Sequence, residues 1–518
     1  LPNQTHTHFV TKPKRPTGIA RNAAANWLAF LFVAAVSFFL SPIIVRNLGN
    51  SAYGVWSLLV SVVGYLGLLD FGVRGAVTRY VAHHHAVGDS EGSSSIVSAG
   101  MVLFLFLGFI AVLLSGVVAY FLPVLFNVPD TLVGDSRLVL VVGGLTVATT
   151  LVGAVFGGIV TGLERFDVSS GTEIVVTAIR SVAIVLALNA GYGLVALGCI
   201  HLASSVLYGV AARIAVHRLY PELKLRFHGD LRPHIRTIFS YSMFLSVIHV
   251  MGIVAYYSDA LVIAAFLPVS AVTYYAIAGN LCDYAYKVAG SLSKMMTPRV
   301  SAMTSMGSGN VSDEIVNTAR IATLATAPIA ATFWFRGESF INLWMGTDYG
   351  PAAGEVLRVL AFVVWLGGAR FVASASIMGV NRHRTLIPAL VFEAIVNLAL
   401  SIALVGAFGI VGVAIGTLIP SVLVTLLYIP FCLSRATGVP AGVFYRRAWL
   451  LPTLAVLPFA LVNIFLERVL PASNLAFFFL QIILTLPLVV VGAIVSCLTP
   501  AEKTQVGSMM KRAYSALR

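Results

Sequence analysis

Charge is scarce in this chain. Lys, Arg, Asp and Glu together make up 10% of its 518 residues, against about 25% in an average soluble protein. No globular interior of this size could hide the 58% that are hydrophobic. A soluble enzyme is therefore excluded, and so is a disordered or collagen-like chain. Cysteine is scarce as well: Cys199, Cys282, Cys432 and Cys497 are the four. They lie far apart inside apolar runs, which excludes a disulfide framework and offers no metal-ligand spacing. A phosphate loop with Lys-Ser/Thr and the metalloprotease string His-Glu-x-x-His are both missing, so the chain reads as neither an ATP hydrolase nor a metallopeptidase. No apolar core with a cleavage site follows the polar residues 1–21, which carry Lys12, Lys14, Arg15 and Arg21. They read as a cytoplasmic tail rather than a signal peptide.

What the chain does have is apolar length, with a mean hydropathy of +0.93. Runs of spanning length fall at 22–47, 52–80, 96–122, 138–162, 170–190, 192–217 and 237–267. They continue at 270–297, 317–336, 354–380, 385–405, 409–433, 448–467 and 474–497. A membrane helix takes about 20 residues, and backbone groups in hydrocarbon must be satisfied internally, so these runs are helices.

The net charge of +13 belongs to inner loops rather than to a nucleic-acid surface. With the N-terminus cytoplasmic, inner segments hold roughly 25 of the Lys and Arg residues. Arg79, Arg165, Arg218, Arg232, Arg382 and Arg446 are among them. Outer segments hold Arg46, Arg137, Arg336, Arg358 and Arg468. An even number of spans with both ends inside follows. Loops on both faces are too short to fold alone, so the work is done within the membrane.

The two halves resemble each other. Gly162-Leu163-Glu164-Arg165 recurs 217 positions on as Gly379-Val380-Asn381-Arg382. Tyr192-Gly193-Leu194-Val195 recurs 216 on as Phe408-Gly409-Ile410-Val411, and Ser51-Ala52 recurs 219 on as Ser270-Ala271. The unit spans six helices, so both copies enter the membrane the same way round. The expected fold is all-α and integral to the membrane, with about 14 spans. Its domains are a tail (1–21), a six-helix lobe (22–217), a linker (218–236), a second lobe (237–434) and two extra helices (435–497). A basic amphipathic tail (498–518), suited to anionic headgroups, closes the chain.

Charges inside the runs need a reason, because each costs about 2.5–3.5 kcal/mol at the bilayer centre. Asp70 with Arg74, and Asp283 with Lys287, stand four apart and can satisfy each other along one helix. Arg180 lies two turns from Glu173. Arg370, in the tenth run after Gly367 and Gly368, has no acid on its own helix and reads as a cation kept for an anion. Asp259 and Glu393 have no cation nearby in sequence. Either can pair across helices, carry a proton or hold a sodium ion. His249 reads as a hydrogen-bonded interior histidine. Gly153, Gly157, Gly158 and Gly162 permit close helix contact, and Pro42, Pro328, Pro388, Pro420 and Pro430 bend helices. Two strings mislead. Gly88-Asp89-Ser90-Glu91-Gly92 matches a nucleophile elbow but lies in a polar loop with no strand before it. Asn310-Val311-Ser312 has glycosylation spacing on the inner side.

The stretch 48–72, LGNSAYGVWSLLVSVVGYLGLLDFG, is followed by Ala76 and Arg79-Tyr80. Together with Ser258-Asp259-Ala260-Leu261-Val262-Ile263 and Tyr274-Tyr275-Ala276-Ile277-Ala278, it resembles the polysaccharide-biosynthesis flippases. These are the Wzx-type O-antigen and exopolysaccharide exporters of the superfamily that also holds multidrug antiporters and lipid II flippases. The resemblance implies a carrier in the bacterial inner membrane, not an enzyme and without a cofactor. It would move undecaprenyl-pyrophosphate-linked oligosaccharide to the periplasmic leaflet by alternating access. Arg74, Arg180, Lys287 and Arg370 would meet the pyrophosphate. Asp259, Glu393, Asp283 and Asp70 are the candidates for coupling to a proton or sodium ion. The last two helices would offer a groove for the polyprenyl tail or merely pack on a lobe. Partners would be the lipid-linked glycan, membrane lipids, and a polysaccharide polymerase with other export proteins. A drug antiporter of the same superfamily predicts instead a compact cavity rich in acids and aromatics. A polymerase or ligase predicts a large outer loop, and a scaffold would tolerate loss of every deep charge.

Overall fold

The computed structural model describes residues 17–227, 230–306 and 310–498, the side chains of 17–24 and 240–249 excepted. The first half builds α1 (Thr17–Leu66), α2 (Val73–Ala86), α3 (Ser90–Leu125), α4 (Asp130–Gly162), α5 (Phe166–Asn189) and α6 (Leu194–Leu219). The second builds α7 (Arg232–Phe266), α8 (Ser270–Lys294), α9 (Met296–Met306), α10 (Val311–Trp344), α11 (Gly350–Gly379), α12 (Ile387–Leu423) and α13 (Ile429–Thr437). After them come α14 (Ala441–Phe444), α15 (Leu451–Val469) and α16 (Leu475–Ser496).

Among the described residues, nine helical segments are long and apolar enough to cross a membrane. Two of them hold two spans each, because the chain doubles back at a glycine: Gly49 (φ 76°) in α1 and Gly409 (φ 58°) in α12. Only glycine adopts such angles without a steric penalty. The helices α7, α8 and α10 carry more polar side chains. With them, each of the fourteen apolar runs has its helix.

The duplicated strings fold into the same turn. Glu164 (φ 58°) and Asn381 (φ 57°) both adopt the left-handed conformation after a helix. In each copy two hydrogen bonds reach back to close the helix end. Arg165 N–H donates to Val160 O and Glu164 N–H to Thr161 O; Arg382 N–H donates to Ile377 O and Asn381 N–H to Met378 O. The glycines are equivalent too. A Cβ on Gly162 would stand 2.8 Å from the Thr78 carbonyl oxygen, and one on Gly379 would stand 2.7 Å from that of Thr297. Close helix approach therefore demands glycine at both positions.

Within the first lobe α4 packs on α3 and α6; within the second α11 packs on α10 and α8. The lobes meet where α1 touches α7 and α8, and where α3 touches α7. Beyond the linker's start, Lys224 and Arg226 donate backbone N–H bonds to Ser94 and Ser98 at 3.2 and 2.8 Å, laying this segment along α3. Asp89, from the rejected nucleophile string, caps α3. The Gly92 N–H, helped by His84, holds the Asp89 carboxyl below its usual range. Large apolar side chains such as Phe106 and Phe109 on α3 and Ile483 and Leu484 on α16 face outward, as acyl-chain contact requires.

The pair α15 and α16 rests on α10, and one residue fastens all three. Arg336 is 1% exposed. Its Nε reaches Glu467 at 2.7 Å, its Nη1 reaches Asn463 at 3.1 Å, and its Nη2 reaches Gln481 at 2.7 Å. Arg336, counted among the outer-segment charges, is thus a buried residue of α10. Helix α10 continues eight residues past the apolar run, carrying Arg336 inside the bundle.

Candidate functional site

Where α1, α7, α8, α11 and α12 converge between the lobes, a cavity of about 350 Å³ remains. Its wall follows helical periodicity. On α1, Tyr53, Trp56, Ser57, Val60 and Ser61 recur every third or fourth residue and so share a face. On α8 the same spacing presents Val272, Tyr275, Ala276, Gly279, Asn280, Asp283 and Tyr286. Helix α7 adds Tyr256, Tyr257 and Asp259, and α12 adds Thr417. Among the described residues of this wall there are two carboxylates and no Lys or Arg.

Asp259 is 6% exposed. Its Oδ2 accepts from the Tyr275 hydroxyl at 2.5 Å and from Thr417 Oγ1 at 3.0 Å. Its Oδ1 is buried with no hydrogen-bond partner among the described residues. Asn397 Nδ2 donates to Thr417 at 2.8 Å, and Ser258 donates to Asn397 Oδ1 at 3.2 Å. The Val413 carbonyl lies 3.3 Å from Thr417 Oγ1 and 3.4 Å from Ser401 Oγ. A buried carboxylate oxygen without a donor is costly. With hydroxyls on Oδ2 and the Asn397 amide one hydrogen bond further out, this carboxylate with one orphaned oxygen has the chemistry of a hard-cation or proton site.

The other candidate residues fall elsewhere. Arg370 is not a lone cation. It grips Glu393 of α12 with both Nη atoms, at 2.7 and 2.5 Å, and also reaches Thr425 at 3.3 Å. Ser421 donates to Glu393 at 2.5 Å. A sequence search confined to Arg370's own helix misses this partner, which lies across an interhelical contact. Glu393 is correspondingly occupied.

Lys287 holds Asp283 at 2.7 Å and stays half exposed. Asp70 accepts the backbone N–H of Arg74 at 3.2 Å, and the side chains stand 4.0 Å apart with Arg74 half exposed. Arg180 forms no ion pair among the described residues; it stands near His201, whose ring packs on Trp56 at 5.1 Å. The four cations are thus not gathered at the cavity wall. The side chain of His249 and the basic tail after 498 lie outside the described residues.

The reading from sequence missed Asn397, Ser401 and Thr417. A signal was present. Glu393, Asn397 and Ser401 recur every four residues in one apolar run, and Thr417, Ser421 and Thr425 do so in the next. Once α12 doubles back at Gly409, the two stripes face each other: Glu393 meets Ser421 and Asn397 meets Thr417.

A second, apolar recess of about 260 Å³ opens between α10, α11 and α15. Ala327, Trp334, Phe362, Trp365 and Val456 line it. Of the two extra helices, only α15 contributes.

The sequence pattern of the family described as "Polysaccharide biosynthesis protein" matches residues 19–303, more than half the chain. A Bacillus subtilis protein named uncharacterized membrane protein EpsK is 24% identical over 82% of this chain and 85% of its own length. The probable low-salt glycan biosynthesis flippase Agl15 of Haloferax volcanii is 22% identical over 79% of this chain and 82% of its own. Among solved structures, the lipid II flippase MurJ in an inward closed conformation superposes with a TM-score of 0.69 at 15% identity. That match spans 92% of this chain and 98% of MurJ, and it shows a shared fold. From the cavity, the duplicated lobes and these matches together, the chain belongs to the polysaccharide biosynthesis protein family.

Proposed function

We propose that this protein flips a lipid-linked oligosaccharide from the cytoplasmic to the outer leaflet of a bacterial inner membrane by alternating access. The observation that carries the reading is the interlobe cavity, which has aromatic and hydroxyl walls and is built from both copies of the repeat. Such a space suits a sugar headgroup whose lipid stays outside, and the apolar recess beside α15 suits a polyprenyl chain. The half-exposed cations Lys287 and Arg74, with Arg180, are where a pyrophosphate would find positive charge. The orphaned carboxylate oxygen of Asp259 is where a sodium ion or proton would couple to lobe movement. Family membership and the relatives named for glycan flipping support this reading.

One observation favours a second reading. Two carboxylates and six aromatic rings in a compact wall also suit export of small organic cations by an antiporter. Reconstitution separates the two. Vesicles containing the protein should bring a polyprenyl-pyrophosphate oligosaccharide to the opposite leaflet, and a strain lacking it should accumulate that lipid facing inward. Drug resistance on overexpression, without glycan movement, would select the antiporter.

A further inference from the structure

We infer that the first lobe holds an oxyanion subsite, made by Arg180 and His201 beside Trp56, and that it receives the carboxylate of an acidic sugar in the cargo. The inference rests on the flippase reading and narrows it: the carrier's pyrophosphate is left to Lys287 and Arg74, and Arg180 is given to the glycan.

Helical spacing turns both residues into the lobe. On α5, Val175, Ile179, Val182 and Leu186 are exposed, whereas Thr177, Ile184 and Leu188 are buried. Arg180 stands three residues after Thr177 and four before Ile184, on the buried stripe. On α6, His201 stands four after buried Leu197 and three before buried Ser204. Arg180 lies near His201, whose ring packs on Trp56 at 5.1 Å, and Trp56 lines the central cavity. Toward the turn between α5 and α6, Ile184, Leu188 and Leu197 pack with Leu48 and Ile200 and close the subsite with apolar side chains.

Among the described residues, no hydrogen bond or ion pair engages the side chain of Arg180, His201 or Trp56. Glu173, the acid closest to Arg180 along α5, is exposed and two turns away. The other deep charges are matched: Asp283 by Lys287 at 2.7 Å, Glu393 by Arg370 at 2.5 Å, and Asp259 by the cation or proton assigned to it. The positive charge of Arg180 is left over. An unpaired cation within a membrane is costly to keep, which marks it for a ligand. A carboxylate fits the guanidinium fork with both oxygens, the imidazole adds an N–H, and the apolar surroundings strengthen the attraction. Trp56 offers the same sugar a ring face. A diphosphate suits the place less. It carries more charge than one guanidinium answers, and it is tied to a lipid whose apolar recess is built by α10, α11 and α15, outside the first lobe.

The test uses the full chain in proteoliposomes with two polyprenyl-pyrophosphate oligosaccharides that differ only in a hexose versus the matching uronic acid. The unmodified protein should move the acidic cargo at least about tenfold faster, since a desolvated charge pair is worth that ratio or more. Arg180→Gln should bring the ratio of acidic to neutral rates close to one. If that variant does not accumulate, Arg180→Lys, which keeps the charge and loses the fork, reads the same ratio and should lower it severalfold. Equal rates in the unmodified protein, or faster neutral cargo, would overturn the inference and leave the flippase reading standing. So would an unchanged ratio in the variant, because the guanidinium would then serve the pyrophosphate that both cargoes share. Movement of neither cargo by the unmodified protein would overturn the flippase reading, and this inference with it.

Discussion

Arg370 and Glu393 form a two-pronged ion pair between α11 and α12, with Nη2 and Oε2 2.5 Å apart and both side chains largely withdrawn from the surface. Ser421 and Thr425 complete the shell. Neither residue has an opposite charge near it along the chain, so each alone looks available for cargo or ion. Together they fasten the two helices.

Removing one member should therefore strand a buried charge. Arg370→Ala or Glu393→Ala should each destabilise the protein by about 3–5 kcal/mol. Replacing both with apolar residues of similar size should restore most of that loss. Thermal unfolding in detergent checks it. If Arg370→Ala unfolds at the unmodified temperature while glycan transport stops, Arg370 acts on the cargo instead.

Asp259→Asn keeps the shape of the side chain and removes its charge. We expect it to abolish any stabilisation of the purified protein by sodium ions and to uncouple transport from the ion gradient. Unfolding temperature measured against sodium concentration, with potassium as control, reads the first effect. Persistence of a sodium-dependent shift in Asp259→Asn would place the cation elsewhere.

Gly54 of α1 lies against the first turn of α8. A Cβ there would come within 2.9 Å of the Val269 carbonyl carbon and 3.1 Å of Thr273 Oγ1. Thr273 also donates to the Asn50 carbonyl at 2.7 Å across the same contact. Gly54→Val should hold the lobes apart at this end, which we propose faces the outside. A cysteine at position 50 should then react faster with a membrane-impermeant thiol reagent, and transport should fall by about tenfold or more.

Arg336→Met should loosen α15 and α16 from α10, because Glu467, Asn463 and Gln481 lose their shared partner. The expected cost is about 3–5 kcal/mol, and protease sensitivity should rise in the loop between α15 and α16. The double variant Arg336→Met with Glu467→Gln should recover part of it.

The polar stripes on α12 show how much of the site could be read beforehand. A four-residue period of Glu393, Asn397 and Ser401 is visible in the sequence, and so is that of Thr417, Ser421 and Thr425. That the stripes meet depends on the chain doubling back at Gly409. Asp283 with Lys287 was readable from spacing, because both lie on one helix. Asp259 with Tyr275 was not, because sixteen residues and a turn separate them.

Amino-acid composition and order alone determined that this is an all-helical membrane protein with a twice-copied lobe, since hydrocarbon forces long apolar runs into helices and similar strings fold alike. The uneven share of Lys and Arg between alternate loops likewise needs only a count along the chain. Tertiary structure decided which buried charges are engaged and that a carboxylate oxygen, Asp259 Oδ1, is left without a donor among the described residues. Coulombic and hydrogen-bond partners in a helical bundle come mainly from neighbouring helices, and that neighbourhood exists only once the helices have packed.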